Sequence, residues 1–157
     1  TLHRRENHPI MDKWFMAVNE LATKYVEYHF VIPLHPNPNV QKHKGLLTNV
    51  SIINPVPYEQ FVRMLSACAF AISDSGGIQE EVSFLGKAVV VCRKVTERPE
   101  SLDLNSFLCD NPNTLIDIVE TVVLPKLKKN AFLQSNVYGD GNASNNIVQI
   151  LKGLKTR

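Results

Sequence analysis

Short apolar runs alternate along the whole chain with segments of helical periodicity, and this alternation limits the possible folds more than any other feature. The runs are continuously apolar rather than alternating in polarity, which is the pattern of strands buried on both faces of a parallel sheet. They lie at residues 28–34, 50–53, 70–73, 88–92 and 106–109. The sequence therefore predicts five parallel strands.

Helix-forming segments separate these runs. In the first of them Trp14, Val18 and Leu21 share one face, and Pro9 suits a first helical position. The predicted helices span residues 9–24, 58–69, 78–85, 114–129 (interrupted by Pro125) and 143–154. Strict alternation of strand and helix predicts an α/β fold, a three-layer doubly wound parallel sheet of the Rossmann-like type, as one domain over residues 1–157.

Ligands of such sheets bind beyond the carboxyl ends of the strands. Three segments follow predicted strands and carry polar side chains there: "HPNPN" at 35–39, "DSGG" at 74–77 and "RKVTERPE" at 93–100. We expect a ligand site where these segments meet.

Composition excludes several classes of function. A formal net charge of +2 is too small to indicate nucleic acid or an anionic membrane surface as a partner. No apolar run approaches the ~20 residues of a membrane span. The five histidines show no metal-ligand spacing, and Cys68, Cys92 and Cys109 form no CxxC pair. We expect buried free thiols, no bound metal and a cytoplasmic location.

The first two residues, Thr1 and Leu2, precede the charged stretch "HRREN" directly. They resemble the end of a strand. We therefore expect the chain to be a fragment of a longer protein.

The segment "DSGGIQEE" combines donors for an anion with carboxylates that repel one. Ser75, Gly76 and Gly77 would present unpaired backbone N–H groups at a helix start, where the helix dipole also favours negative charge. Taken alone, a tight turn with a serine cap is the more frequent explanation of such a trio. Glu81 lies one helical turn beyond Gly77, where a carboxylate can accept hydrogen bonds from sugar hydroxyls. Glu80 and Glu81 are also ordinary acids for a first helical turn. If the Ser75–Gly77 turn and the Glu81 carboxylate both bind the ligand, that ligand carries phosphates and hydroxyls about one helical turn apart, as a nucleotide does.

Two further segments carry charges whose role the sequence leaves open. Arg4 and Arg5 precede a predicted helix, where cations are disfavoured unless an anion lies between them and the helix; a solvated charge run is the alternative. His3 could donate a hydrogen bond or transfer a proton near neutral pH. Arg98 is either a phosphate or sugar ligand or a loop arginine neutralised by its acidic neighbours.

The motifs "HRREN", "HPNP", "DSGGIQEE", "LGKAVVV", "TERPE" and "YGDGNAS", in this order, resemble the C-terminal half of the non-hydrolysing UDP-N-acetylglucosamine 2-epimerases. The resemblance covers essentially the whole chain. It implies one half of a GT-B arrangement: residues 1–157 are the UDP-binding C-terminal domain, and the N-terminal domain is absent. It also implies an isomerase that interconverts UDP-N-acetylglucosamine and UDP-N-acetylmannosamine by eliminating and re-adding UDP. Neither a metal nor a redox cofactor takes part, and the full-length protein is expected to be a homodimer.

The resemblance also implies roles for individual residues, which fall into three groups. UDP is bound by residues at the sheet edge, of which Phe61 lies at the uracil end: Phe61, Ser75, Gly76, Gly77, Glu81 and Arg98. His3 lines the active site and is the catalytic candidate. Arg4, Arg5 and Glu6 belong to a motif that, in bacterial members, also contacts a second UDP-sugar acting as an allosteric activator.

The chain departs from the family pattern in its loops. "NHPIM" lacks the glycine that usually follows HRREN, "SLDLNSFLC" replaces a Gly-Thr turn, and Asn54-Pro55 stands where an Asp-Pro is usual. The exact sugar therefore stays open, and a related UDP-diacetamido sugar is one alternative.

A GT-B glycosyltransferase domain and a non-catalytic UDP-sugar-binding remnant are further alternatives. The family's acidic catalytic residues belong to the N-terminal half. We therefore expect this chain alone to bind UDP weakly and to have no epimerase activity.

Overall fold

The computed structural model describes residues 1–154 and contains five parallel strands in two sheets. One sheet pairs β1 with β2, and the other has the order β3-β4-β5. The bounds are β1 Val31–Pro33, β2 Ser51–Ile53, β3 Phe70–Ser73, β4 Ala88–Val91 and β5 Ser106–Leu108. Each predicted run contains one strand, so the prediction of a parallel α/β fold is confirmed.

Seven α-helical segments are described between and after the strands. They are α1 Met11–Lys24, α2 Pro38–Gln41, α3 Tyr58–Ala67, α4 Gly76–Leu85, α5 Leu115–Ile118, α6 Leu124–Lys128 and α7 Ala143–Leu154. The predicted first residues of two helices were wrong. Pro9 lies inside a 3₁₀ helix, Arg5–Ile10, that precedes α1, and α4 begins at Gly76 rather than at Ile78. The short helix α2 was not predicted.

The predicted interruption at Pro125 takes the form of a π-helical segment, Val119–Val123, between α5 and α6. Proline lacks an N–H, and its ring collides with the carbonyl one turn earlier in a regular α-helix. The wider π turn relieves that collision, so the chain continues as α6 without a break.

Two hydrophobic clusters lie on opposite faces of the β3-β4-β5 sheet, and β4 contributes to both. Val90 packs in the larger cluster with α1 and the α5–α6 segment, whereas Val89 and Val91 pack in the smaller cluster with α3 and α4. All four residues of β4 are buried. This is the three-layer arrangement predicted from continuous apolar strands, because successive side chains of a strand point to opposite faces. Within residues 1–154, no helix combines the length and the apolar character needed to cross a membrane.

Candidate functional site

A cleft of about 420 Å³ opens at the carboxyl ends of the strands. Its walls come from the chain that follows three strands: His35 after β1, Val56 after β2 and Ser75 after β3. His3 completes one side of it. Two of the three edge segments named from the sequence, "HPNPN" and "DSGG", therefore meet here, as expected for the ligand site of a doubly wound sheet.

The first turn of α4 forms one wall of the cleft. Ser75 takes the N-cap position in an extended conformation, and within the described chain its hydroxyl makes no capping hydrogen bond. Its backbone N–H is bonded to the Ser73 hydroxyl at 3.0 Å. Gly77 is exposed in the cleft, and a Cβ added there would have no atom within 4 Å. The serine cap is thus not formed, and the first turn of the helix is open to an anion.

Arg98 reaches the same turn from another side and covers Gly76. Gly76 is buried, and a Cβ added there would lie 2.6 Å from Nη1 of Arg98. The guanidinium Nε of Arg98 bonds Oε1 of Glu80 at 2.5 Å. Arg98 and Gly76 are not among the described residues that line the cleft itself. A glycine at position 76 is therefore what lets this arginine lie against the helix start.

Glu81 lines the cleft together with Gly77, one turn deeper on the same helix. Its Oε2 is buried and has no hydrogen-bond partner among residues 1–154. The carboxylate also raises the pKa of the neighbouring Tyr58 hydroxyl, by hydrogen bonding and by its charge. A buried acceptor without a donor is costly unless a ligand supplies one. Phe61, half-buried, lies in the same cleft.

A buried carboxylate, Asp74, anchors the HRREN segment to the end of β3. Its oxygens accept hydrogen bonds from the backbone N–H of His3 at 3.0 and 3.1 Å, from the backbone N–H of Arg4 at 2.8 Å and from Nδ2 of Asn7 at 3.0 Å. Asp74 is fully buried. The sequence analysis named the DSGG segment but gave Asp74 itself no role, although a charged residue directly after a predicted strand was a usable signal.

Asn7 extends this network into the core. Its Nδ2 also donates to the carbonyl of Cys92 at 2.9 Å, and its Oδ1 accepts from Nε1 of Trp14 at 3.1 Å. The HRREN segment is thereby fixed to β3, to the end of β4 and to α1.

The ring of His3 lies between a carboxylate and a second imidazole. Its Nδ1 is 3.5 Å from Asp74 Oδ1, and its ring stacks on His35 with centroids 5.1 Å apart and planes at 14°. Burial lowers the pKa of His3 and outweighs the opposing effect of Asp74, and the charges of His35 and Arg4 lower it further. The ring is therefore mostly neutral at neutral pH and can accept or donate a proton there.

Arg93, whose side chain is 5% exposed, pairs with acidic side chains of both the HRREN and the TERPE segments. Arg93 bonds Glu6 at 2.7 Å and both oxygens of Glu97 at 2.5 and 3.0 Å. Arg4 lies 3.6 Å from Glu97, and Arg5 is exposed. Glu6 is thus paired within the chain. The sequence analysis gave Arg93 no role of its own, although it too is a charged residue directly after a predicted strand.

The thiols are free, as expected: Cys92 and Cys109 are buried and Cys68 is half-buried. Among the described residues no group of three or more potential ligands could hold a metal ion.

Comparisons with known proteins identify relatives of this chain. The family model described as UDP-N-acetylglucosamine 2-epimerase matches residues 1–152. The UDP-N-acetylglucosamine 2-epimerase of Neisseria meningitidis serogroup A is 42% identical over 100% of this chain and 44% of its own length. That of Bacillus subtilis is 36% identical over 96% of this chain and 42% of its own length. The chain thus spans less than half the length of these relatives.

Solved structures of proteins from other organisms are also similar to this chain. The N. meningitidis enzyme bound to UDP-GlcNAc superimposes with a TM-score of 0.87 at 40% identity, covering 97% of this chain and 43% of that one. A complex of S. aureus MnaA with UDP gives a TM-score of 0.86 at 33% identity, covering 99% and 44%.

Proposed function

The chain belongs to the UDP-N-acetylglucosamine 2-epimerase family, and on that premise we propose that it is the UDP-binding part of an enzyme that interconverts UDP-N-acetylglucosamine and UDP-N-acetylmannosamine. One observation carries the proposal: the open first turn of α4, the unpartnered Oε2 atom of Glu81 and the His3 ring converge on a single cleft. Donors for phosphate and an acceptor for hydroxyls, one helical turn apart, fit a nucleoside diphosphate.

In the proposed complex, the diphosphate lies at the start of α4. The N–H groups of Gly76 and Gly77 and the hydroxyl of Ser75 bind it, and Arg98 approaches it from across Gly76. The ribose hydroxyls donate to the free oxygen of Glu81, and the uracil lies toward Phe61. The relatives solved with UDP-GlcNAc and with UDP support this class of ligand.

His3 is the proposed proton-transfer group of this half. Elimination of UDP moves the C2 proton of the sugar to a base and breaks the bond between C1 and the diphosphate oxygen. A neutral imidazole beside the diphosphate can donate a hydrogen bond to the leaving oxygen or relay a proton. Asp74 and His35 fix its position. We assign the remaining proton chemistry to the other half of the enzyme, and this chain alone to UDP binding without turnover. Arg4, Arg5 and Glu6 remain candidates for a second UDP-sugar site.

Gly77→Asp tests the diphosphate position. The new carboxylate would stand in the open turn, where like charges a few ångströms apart repel by several kcal/mol at partial exposure, so we expect UDP affinity to fall at least ~100-fold. The measurement is calorimetric titration of the chain with UDP.

Gly45→Asp is the matched control. Gly45 is exposed, has nothing within 4 Å of an added Cβ and does not line the cleft. It introduces the same charge elsewhere, so its UDP affinity should equal that of the wild type. Equal affinities for the two variants would show that UDP does not place its phosphates at Gly77.

A further inference from the structure

The loop that carries Arg98 has no regular secondary structure. Residues 94–98 follow β4 and end where a short 3₁₀ helix, Pro99–Ser101, begins. Neither a sheet ladder nor a helical turn therefore fixes the backbone of this loop. Arg98 nevertheless lies against the start of α4, where its guanidinium covers Gly76. A long side chain is placed only as accurately as the backbone that carries it, so other bonds must hold this residue.

The hydroxyl of Thr96 holds the backbone N–H of Arg98. That N–H donates to Thr96 Oγ1 at 3.1 Å, and the same hydroxyl donates its own proton to Oε1 of Gln79 at 2.7 Å. Gln79 belongs to α4 and is fully buried, so packing fixes the acceptor. One hydroxyl thus joins the backbone of the loop to the helix that forms a wall of the UDP cleft.

The phenol of Tyr138, in the YGDGNAS segment, holds the carbonyl of the same arginine. Its Oη lies 3.1 Å from the carbonyl oxygen of Arg98 and 2.8 Å from Oγ of Ser101. A carbonyl oxygen can only accept, so the single phenol proton goes to Arg98 and the Ser101 hydroxyl donates to the phenol. Ser101 is fully buried, and its Oγ lies 2.7 Å from Oγ of Ser106 in β5. This chain of hydroxyls ties the backbone of Arg98 to the sheet.

The guanidinium of Arg98 is held differently from its backbone. Nε bonds Oε1 of Glu80 at 2.5 Å, and Nη1 lies 3.9 Å from Oε2 of Glu97. Both glutamates are about half exposed, so water and salt weaken these pairs. The backbone bonds, in contrast, come from neutral hydroxyls that are fixed to buried residues. The guanidinium can therefore leave Glu80 for another anion while the backbone stays in place.

Such a clamp could serve the stability of the loop alone. Its two arms, however, come from separate segments and meet on one residue, at the N–H and the carbonyl of Arg98. That residue carries the guanidinium that lies against the open first turn of α4. Neither Thr96 nor Tyr138 is among the described residues that line the UDP cleft. Any effect of these two side chains on a ligand in the cleft would therefore pass through Arg98.

We propose that Thr96 and Tyr138 are positioning residues for the nucleotide: they hold the backbone of Arg98 so that its guanidinium meets the diphosphate at the start of α4. The inference rests on the proposed function, from which it takes the phosphate ligand. A charge-assisted hydrogen bond depends on the placement of its donor, so a loosened backbone weakens the contact with phosphate. The contacts with the ribose and the uracil do not involve Arg98 and stay as they are.

The first test compares the binding of UDP with that of uridine, which has no phosphate, by NMR titration. Thr96→Val removes one hydroxyl of the clamp and Tyr138→Phe the other, each with little change of shape. Each should lower the affinity for UDP about 5-fold, the effect of one hydrogen bond, and leave the affinity for uridine unchanged. Thr96→Ser restores a hydroxyl and should bind UDP as the wild type does.

Tyr28→Phe is the matched control for Tyr138→Phe. Tyr28 is also a half-buried tyrosine, but its ring packs on Phe70 at the opposite end of β3 from the cleft. Removing its hydroxyl should leave the affinity for UDP unchanged.

A double-mutant cycle tests whether the effect passes through Arg98. Arg98→Ala should lower the affinity for UDP at least ~10-fold, because a charged donor to phosphate is lost. On that background Tyr138→Phe should have no further effect, since the side chain that it positions is gone. Hydrogen exchange in the ligand-free chain is an independent readout: the amide of Arg98 should exchange about 10-fold faster in Thr96→Val and not in Thr96→Ser.

Three results would overturn the inference. Equal losses of UDP and uridine affinity in Tyr138→Phe would show a general disturbance of the fold. Additive losses in the cycle would show that Tyr138 acts independently of Arg98. Unchanged UDP affinity in Thr96→Val and Tyr138→Phe, with a loss in Arg98→Ala, would remove the clamp's role and leave the proposed function standing. If Arg98→Ala itself bound UDP as the wild type does, the placement of the diphosphate beside Arg98 would fail, and the positioning role with it.

Discussion

Two polar networks hold the segments around the first turn of α4, and they differ in their exposure to water. The inner network centres on Asp74, which is fully buried and bonds neutral N–H donors. The outer network joins arginines to glutamates that face solvent, with Glu97 56% and Glu80 46% exposed. Both fix loops that border the proposed UDP site, but their energetics differ.

A buried carboxylate depends on its donors, because unpaired it would bear a large desolvation cost. Each of its hydrogen bonds is also stronger in the low local dielectric. The outer ion pairs have their glutamates in water, although Arg93 itself is buried, so salt weakens them and each contributes less than a bond of the inner network. The inner network therefore fixes the backbone of His3 and Arg4, whereas the outer one leaves Arg98 free to exchange Glu80 for a phosphate at small cost.

Among changes to the two networks, we expect Asp74→Ala to lower the stability of the fold most. Removing the carboxylate leaves the N–H groups of His3 and Arg4 and the amide of Asn7 without their acceptor. We expect a loss of ~3 kcal/mol in the free energy of unfolding. Denaturant titration measures it.

Asp117→Ala is the control for this change, because Asp117 is exposed on α5. It should alter the free energy of unfolding by less than ~0.5 kcal/mol. Similar losses for the two variants would mean that the Asp74 network does not anchor the HRREN segment. Asp74→Asn, which keeps an acceptor oxygen, should fall between them.

The contrast also shows how far the sequence alone predicts this molecule. The strands and most helices followed from local apolar periodicity, and the cleft from the rule that ligands bind at strand ends. The partners of Asp74 did not follow, because its bonds to His3 and Asn7 span 71 and 67 residues. The burial of Arg93, likewise, depends on a contact with Glu6 from the far end of the chain. Periodicity carries no information about such pairs, although a charge directly after a buried strand marks where to look.

The division into two sheets was also beyond the sequence pattern. Each apolar run predicts a strand, but the pattern does not give strand order.

Changes at His35 and Asp74 are expected to have a smaller effect, which is a shift in the pKa of His3, whose position the inner network fixes. Its pKa lies below 6.5 chiefly because of burial, with His35 lowering it further and Asp74 raising it. His35→Gln should therefore raise the pKa of His3, and Asp74→Asn should lower it. NMR of the His3 ring across the pH range measures both shifts.

The same shift predicts a dependence of stability on pH. Because the folded pKa of His3 is below 6.5, its contribution to stability is complete above that value and is lost as the pH falls below it.

His29→Gln is the control for the effect of His35→Gln on the pKa of His3, since His29 is exposed and bonds Ser51. If His35→Gln left the His3 pKa where His29→Gln leaves it, the stacked pair would not form in solution.

The smallest effect is expected in the outer network, from Glu97→Gln. Hydrogen bonding to Arg93 lowers the pKa of Glu97 from 4.5 to about 2. The ion pair is therefore complete above 4.5 and is lost as the pH falls through about 2. The difference in denaturant midpoint between wild type and Glu97→Gln should be small at neutral pH, shrink further with added salt and vanish in acid. A Glu97 titration midpoint near 4.5 would show that Arg93 does not hold this carboxylate. The outer network would then have no fixed anchor at Arg93, and the guanidinium of Arg98 would be held over Gly76 chiefly by Glu80.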